Sequence, residues 1–223
     1  MQIVIGNKNY SSWSMRPWVL AKEAGIPFEE VQLKFNKEDG GLTVDGIQRF
    51  NVAGKVPVLV IDGEPVWDSL AICETLAERF PEKQLWPADR SARQVARSIC
   101  AEMHSGFTSM RSSMPMNIAR QYPGKGMNDG TRRDIDRILA IWSTCRGKFG
   151  QGGGMLFGRF SVADAFFAPV VMRFRAYGVE LPPVARAYSE AVQAMKSVRE
   201  WMDGARKEKE FVPTDEPYAT SNR

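Results

Sequence analysis

An α/β domain followed by an all-α helical bundle is the fold class that this 223-residue sequence predicts. Three observations carry it. Strand and helix signals alternate through the first eighty residues. Pro81-Glu-Lys-Gln-Leu-Trp-Pro-Ala-Asp89 then breaks the pattern with two prolines. Beyond that break the chain shows only helical periodicity. The expected division is an α/β domain at 1–80, a linker at 81–89, and a helical domain at 90–223 with a polar C-terminal tail. At this length either part can bury a core.

Gln2–Gly6 has the apolar character of a short buried strand. A helix is expected over Ser14–Ala24, stopped by Gly25 and Pro27. Glu29–Phe35 alternates, with Val31, Leu33 and Phe35 on one face, and predicts a second strand. Residues 43–50 suit a short helix or turn. Val56-Pro57 stands before an apolar run, and proline lacks the N–H that a central ladder needs, so it marks a strand entrance or edge. An X-Pro bond is also where a cis peptide is cheap. Asp62-Gly63 predicts a tight turn between strands 58–61 and 64–67. Helix Ser69–Phe80 follows, with Leu70, Cys73, Leu76, Ala77 and Phe80 at helical spacing. The order β-α-β-α-β-β-α matches a thioredoxin-like domain, whose first two strands pair in parallel through a crossover.

In the second part, amphipathic helices are expected over 90–113, 129–149, 161–177 and 184–202, with residues 203–223 polar and the last dozen a surface or frayed tail. Ser161-Val-Ala-Asp164 has the capping-box layout, each side chain able to satisfy a backbone N–H at a helix start. Pro169 should distort the helix that follows. Gln151-Gly-Gly-Gly154 lacks a phosphate-loop ending and suits a flexible connection between helices.

Composition narrows the function classes. Hydrophobic content of 43% with 25% charged residues is that of an ordinary globular protein. No apolar run approaches the ~20 residues that span a bilayer. The start Met-Gln-Ile-Val-Ile-Gly lacks a signal-peptide pattern, so a cytoplasmic location is expected and no membrane partner. Net charge is only +4, with basic residues scattered, which argues against a nucleic-acid partner. Cys73, Cys100 and Cys145 are far apart, so neither disulfides nor a metal site is expected.

Two segments can carry chemistry. Asp68-Ser69 opens an apolar helix, where side-chain oxygens and free backbone N–H groups gather to hold a small charged ligand. Asn9-Tyr-Ser-Ser-Trp-Ser-Met-Arg-Pro-Trp18 joins the first strand to the first helix, the edge of an open α/β sheet where ligands bind. A hydroxyl there, with the positive helix end behind it, can stabilise a thiolate. Helix N-capping is the competing role for Ser12 and Ser14.

The V-P-x-L segment at Val56-Pro57, with D-S-x-A-I eleven residues later, resembles the glutathione-binding half of the glutathione transferase superfamily. Ser11-Ser-Trp-Ser-Met-Arg16 is similar to S-S-C-x-x-R of zeta-class and S-P-F-x-x-R of tau-class members, with Trp13 in place of the zeta cysteine. That resemblance implies glutathione as co-substrate without a metal, and attack of its thiolate on a small electrophile. Ser11 would face the sulfur, with Tyr10 the rival and Ser12 in the binding site. Val56, beside Pro57, would pair with the peptide backbone, and Asp68 with Ser69 would hold the γ-glutamyl end. Lys37 would reach the glycine carboxylate unless it is merely solvated. Met103, His104, Phe107, Met110 and Arg111 would border the electrophile pocket, with core packing the alternative for each methionine and for His104.

The same resemblance implies, as alternatives, glutathione-dependent cis-trans isomerisation of the maleylacetoacetate type or a non-catalytic glutathione-binding protein. It also implies a homodimer. Apolar residues exceeding one helix face, including Ile99, Phe107, Ile135, Ile138 and Trp142, supply a physical reason for one.

Overall fold

A computed structural model describes residues 1–36, 39, 41 and 43–220. Strands β1 (Gln2–Ile5), β2 (Glu29–Gln32), β3 (Val58–Ile61) and β4 (Glu64–Val66) form one sheet in the order β2-β1-β3-β4. β1 and β2 are parallel, as the helix between them requires, and the other pairs are antiparallel. Alternation along the strands divides the packing. Ile3, Ile5 and Leu59 face the main core, while Val4 and Val58 join Leu33, Val44 and Ile47 beneath the other face. The turn at Asp62-Gly63 has both residues at positive φ, 54° and 87°, the conformation a tight hairpin of this twist needs.

Helix α1 (Ser12–Glu23) starts two residues before the expected Ser14 and α2 spans Ser69–Arg79. Residues 47–49 form a single 3-10 turn. The β2 ladder stops at Gln32, and Phe35 makes only an isolated bridge to Val44.

The helical half departs from expectation in two places. The predicted helix 90–113 is two helices, α3 (Arg90–Ser105) and α4 (Thr108–Ser113). Gly106 breaks them apart: a Cβ there would lie 2.9 Å from the Glu102 carbonyl, and Phe107 then turns left-handed at φ 60°. The predicted helix 184–202 is α7 (Pro183–Ala194) and α8 (Lys196–Lys207), divided by extended backbone at Met195. Between them lie α5 (Asp129–Phe149) and α6 (Val162–Tyr177), which runs on through Pro169. The triple-glycine connection is not loose, because Arg146 Nη1 donates to the carbonyls of Gly150, Gly153 and Met155 at 2.5–2.9 Å.

One core crosses both halves, from Ile3, Trp18 and Leu76 to Met103, Trp142 and Phe166. Residues 81–89 are part of it: Leu85 and Trp86 are buried, and Val162 N–H donates to the Leu85 carbonyl at 2.9 Å. Ile99, Phe107, Ile135, Ile138 and Trp142 are at most 7% exposed within the single chain. The supposed apolar surplus is therefore covered internally and gives no argument for a dimer. The three cysteines are free and buried. No helix among the described residues is long and apolar enough to cross a membrane.

The C-terminal segment is tied down through Tyr218. Glu208 accepts the N–H groups of Lys8 and Asn9 at 2.7 and 2.9 Å, and Tyr218 donates to the Ser113 carbonyl at 2.8 Å.

Candidate active site

Two adjoining cavities open where the sheet half meets the helical half. One, of about 350 Å³, is lined by Trp13, Ala53, Lys55, Val56, Pro57, Trp67, Asp68 and Ser69. The other, of about 310 Å³, takes its walls from Tyr10–Trp13, Val56, Arg111, Met116, Arg173 and Asp215, among others. Trp13, Lys55 and Val56 belong to both, so they form one groove with two compartments.

In the first compartment the Val56–Pro57 peptide is cis. Asp68 is the N-cap of α2, accepting the Leu70 N–H at 2.8 Å through Oδ1. Its Oδ2 lies 3.1 Å from His104 Nε2. Burial, then the neighbouring Arg16 and Arg111, hold the imidazole below its ordinary pKa against the pull of Asp68. A neutral His104 donating its Nε2–H leaves the Asp68 charge uncompensated, available to a ligand ammonium. Ser69 is buried, and its Oγ accepts from Arg16 Nη1 at 3.3 Å.

The second compartment is built on the start of α1. Ser11 is the N-cap; its Oγ accepts the Ser14 N–H at 3.4 Å and donates to Ser14 Oγ at 2.7 Å. Ser12 Oγ accepts from Arg173 Nη2 at 3.1 Å, a charged donor that leaves the Ser12 proton free. Tyr10, the rival hydroxyl, donates to Glu216 at 2.8 Å and to the Glu210 carbonyl at 3.1 Å. Burial, with the Glu216 carboxylate beside it, raises the Tyr10 pKa far above its ordinary range. Its oxygen is committed to the C-terminal segment.

Cations dominate this compartment. Trp13 meets two guanidiniums, Arg16 at 4.2 Å and Arg111 at 4.6 Å from its ring. Burial, with Arg111 and Arg173 nearby, brings Arg16 down to about 9, and burial with Arg111 brings Arg173 to about 10. Both still carry charge at neutral pH. Asp215 opposes them, its own carboxyl raised to about 6 by burial despite Arg173. Such a field favours bound anions, a thiolate included.

The structure brings Ser11, Ser12, Val56, Pro57, Asp68, Ser69 and Arg111 to one groove, with His104 on its Asp68 side. Met103, Phe107 and Met110 are buried in the core and line neither compartment. Pro115 and Met116 supply that wall instead. Lys37 lies outside the described residues. Sequence reasoning missed Arg173 and Asp215. The signal for Arg173 was a lone charge near the end of the buried run Ala165–Phe174. Asp215 had none, lying in a polar tail. No cluster among the described residues has the composition to hold a metal ion.

Comparison with known proteins bears on this groove. The family model for the glutathione S-transferase N-terminal domain matches residues 10–79, and that for the C-terminal domain matches residues 118–204. A maleylacetoacetate isomerase of Rattus norvegicus is 28% identical over 173 residues, 77% of each chain. A Burkholderia glutathione transferase homolog, solved with bound glutathione, superposes with a TM-score of 0.70 at 24% identity, over 93% of this chain and 98% of that one. Maleyl pyruvate isomerase, a bacterial zeta-class glutathione S-transferase, superposes with a TM-score of 0.71 at 22% identity, over 93% and 99%.

Proposed function

The chain belongs to the glutathione S-transferase superfamily, and from that premise we propose that it binds glutathione in this groove and activates it as a thiolate for attack on a small electrophile. The observation that carries the reading is the convergence of three separate sequence segments on one continuous groove: Ser11-Ser12, Val56-Pro57 and Asp68-Ser69. The Val56 backbone pairs with the tripeptide. Asp68 takes its α-ammonium and Ser69 its α-carboxylate. Ser11 donates to the sulfur, and the thiol proton passes to solvent. The helix end, the hydroxyl and the nearby guanidiniums together lower the thiol pKa by about one to three units. Residues 1–80 thus hold glutathione, and 90–223 add Arg111, Pro115, Met116, Arg173 and Asp215 to the electrophile compartment, joined through 81–89. The active form is a homodimer, as in the family; light scattering giving a mass near 25.0 kDa would overturn that.

Ser11→Ala should cut turnover about a hundredfold, the cost of losing one donor worth ~3 kcal/mol in the transition state, with glutathione affinity nearly intact. Full activity in that variant, with loss in Ser12→Ala, would move the role to Ser12.

A second reading is glutathione-dependent cis-trans isomerisation, in which the thiolate adds to a double bond and leaves again after rotation. Arg111 and Arg173 in the electrophile compartment favour it, since they suit a carboxylate-bearing substrate, and relatives named maleylacetoacetate isomerase point the same way. Incubation with glutathione and aryl halides, epoxides or maleyl diketones separates conjugation from isomerisation, and both from binding alone.

A further inference from the structure

Ser14 is wholly buried and lines neither compartment. Its Oγ accepts the Gly6 N–H at 3.2 Å and the Ser11 O–H at 2.7 Å. It therefore connects the end of β1 to the hydroxyl that faces the groove. Two hydroxyls at that distance share one hydrogen bond, and its direction follows from what else each oxygen meets. With the groove empty, Ser11 points its proton inward to Ser14. A thiolate is purely an acceptor, so its arrival claims the Ser11 proton and leaves the Ser11 oxygen open to a donor from behind.

We propose that Ser14 is a positioning residue for thiolate formation, reversing its bond to Ser11 so that Gly6 N–H, Ser14 O–H and Ser11 O–H become consecutive donors directed at the sulfur. The inference rests on Ser11 being the thiolate donor. Each donor in such a row polarises the next and strengthens the bond at its end. Without Ser14 the Ser11 oxygen keeps only the long 3.4 Å bond from the backbone N–H of residue 14. Helix capping by Ser11 uses that backbone N–H and does not need the Ser14 hydroxyl. The two roles of Ser11 are therefore separable.

The test is an ultraviolet titration of enzyme-bound glutathione, following thiolate absorbance against pH in the wild type, Ser11→Ala, Ser14→Ala and the double variant. Ser14→Ala should raise the bound thiol pKa part of the way that Ser11→Ala does. Turnover should fall about threefold to tenfold, with glutathione affinity below the thiol pKa unchanged. The double variant should titrate like Ser11→Ala alone, because the relay acts only through Ser11. Removing the Ser14 oxygen also leaves the Gly6 N–H unpartnered, so Ser14→Cys is measured beside it: it keeps an acceptor there but donates weakly, and it too should raise the thiol pKa. A wild-type titration in the folded Ser14 variants, with a shift in Ser11→Ala, would overturn the relay and leave Ser11 in place. A wild-type titration in Ser11→Ala would overturn the Ser11 assignment and the relay with it.

Discussion

Asp68 and Asp164 both stand at a helix start next to a serine or one turn from it, and their surroundings differ in one respect. Asp164 is wholly buried with both oxygens consumed: Oδ1 accepts the Leu156 N–H at 3.0 Å, and Oδ2 accepts from Ser161 N–H at 2.9 Å and Ser161 O–H at 3.1 Å. Asp68 satisfies one backbone N–H through Oδ1 and meets His104 Nε2 at 3.1 Å through Oδ2, while its side chain, 46% exposed, lines a cavity and keeps acceptor capacity. The same residue type, at N3 of one helix and at the N-cap of the other, locks the fold in the first case and leaves a charge for a ligand in the second. What separates them is the acceptor capacity left over after the backbone is served.

Breaking the saturated acid should have the largest effect on the molecule itself. Asp164→Ala strands the Leu156 and Ser161 N–H groups in the core. It should cost roughly 3–4 kcal/mol, lowering the melting temperature by about 10 °C, with glutathione affinity of the folded protein unchanged. Calorimetric melting checks it.

The pH dependence sharpens the same contrast. Burial raises the Asp164 carboxyl to about 6 from 3.8, against the lowering effect of its hydrogen bonds. The native state then holds the proton more tightly than the unfolded chain. Its stabilising contribution is fullest below pH 3.8 and is lost as pH rises toward about 6. Relative to Asp164→Asn, the wild type should lose roughly 2–3 kcal/mol of stability between pH 4 and pH 7. Denaturant unfolding at both values decides it; a constant difference would show that the hydrogen bonds fully offset the burial.

Asp68→Ala should be the mildest for the fold and act on binding. It should raise the Michaelis constant for glutathione about tenfold with little change in kcat, because its charge meets a remote part of the ligand equally in ground and transition states. Normal glutathione binding by calorimetry in that variant would reduce Asp68 to a helix cap and erase the comparison.

Both helix starts were legible in the sequence, since capping depends on residues within one turn of each other. So were the order of strands and helices along the first domain and the cis-compatible Val56-Pro57, for the same local reason. The breaks at Gly106 and Met195 were not, because hydrophobic spacing continues across them while the backbone does not. Arg173 meets Ser12 across 161 positions of sequence, and no local pattern announces that contact. The wall formed by Pro115 and Met116 in place of Met103 and Phe107 likewise depends on how α3 and α4 pack.

A crystal structure with glutathione soaked in tests the central claim most directly. The account predicts the sulfur within hydrogen-bonding distance of Ser11 Oγ, the tripeptide backbone paired with Val56, and the α-ammonium on the Asp68 carboxylate. Glutathione bound elsewhere, or in this groove with its sulfur away from the start of α1 and its ammonium away from Asp68, would contradict it.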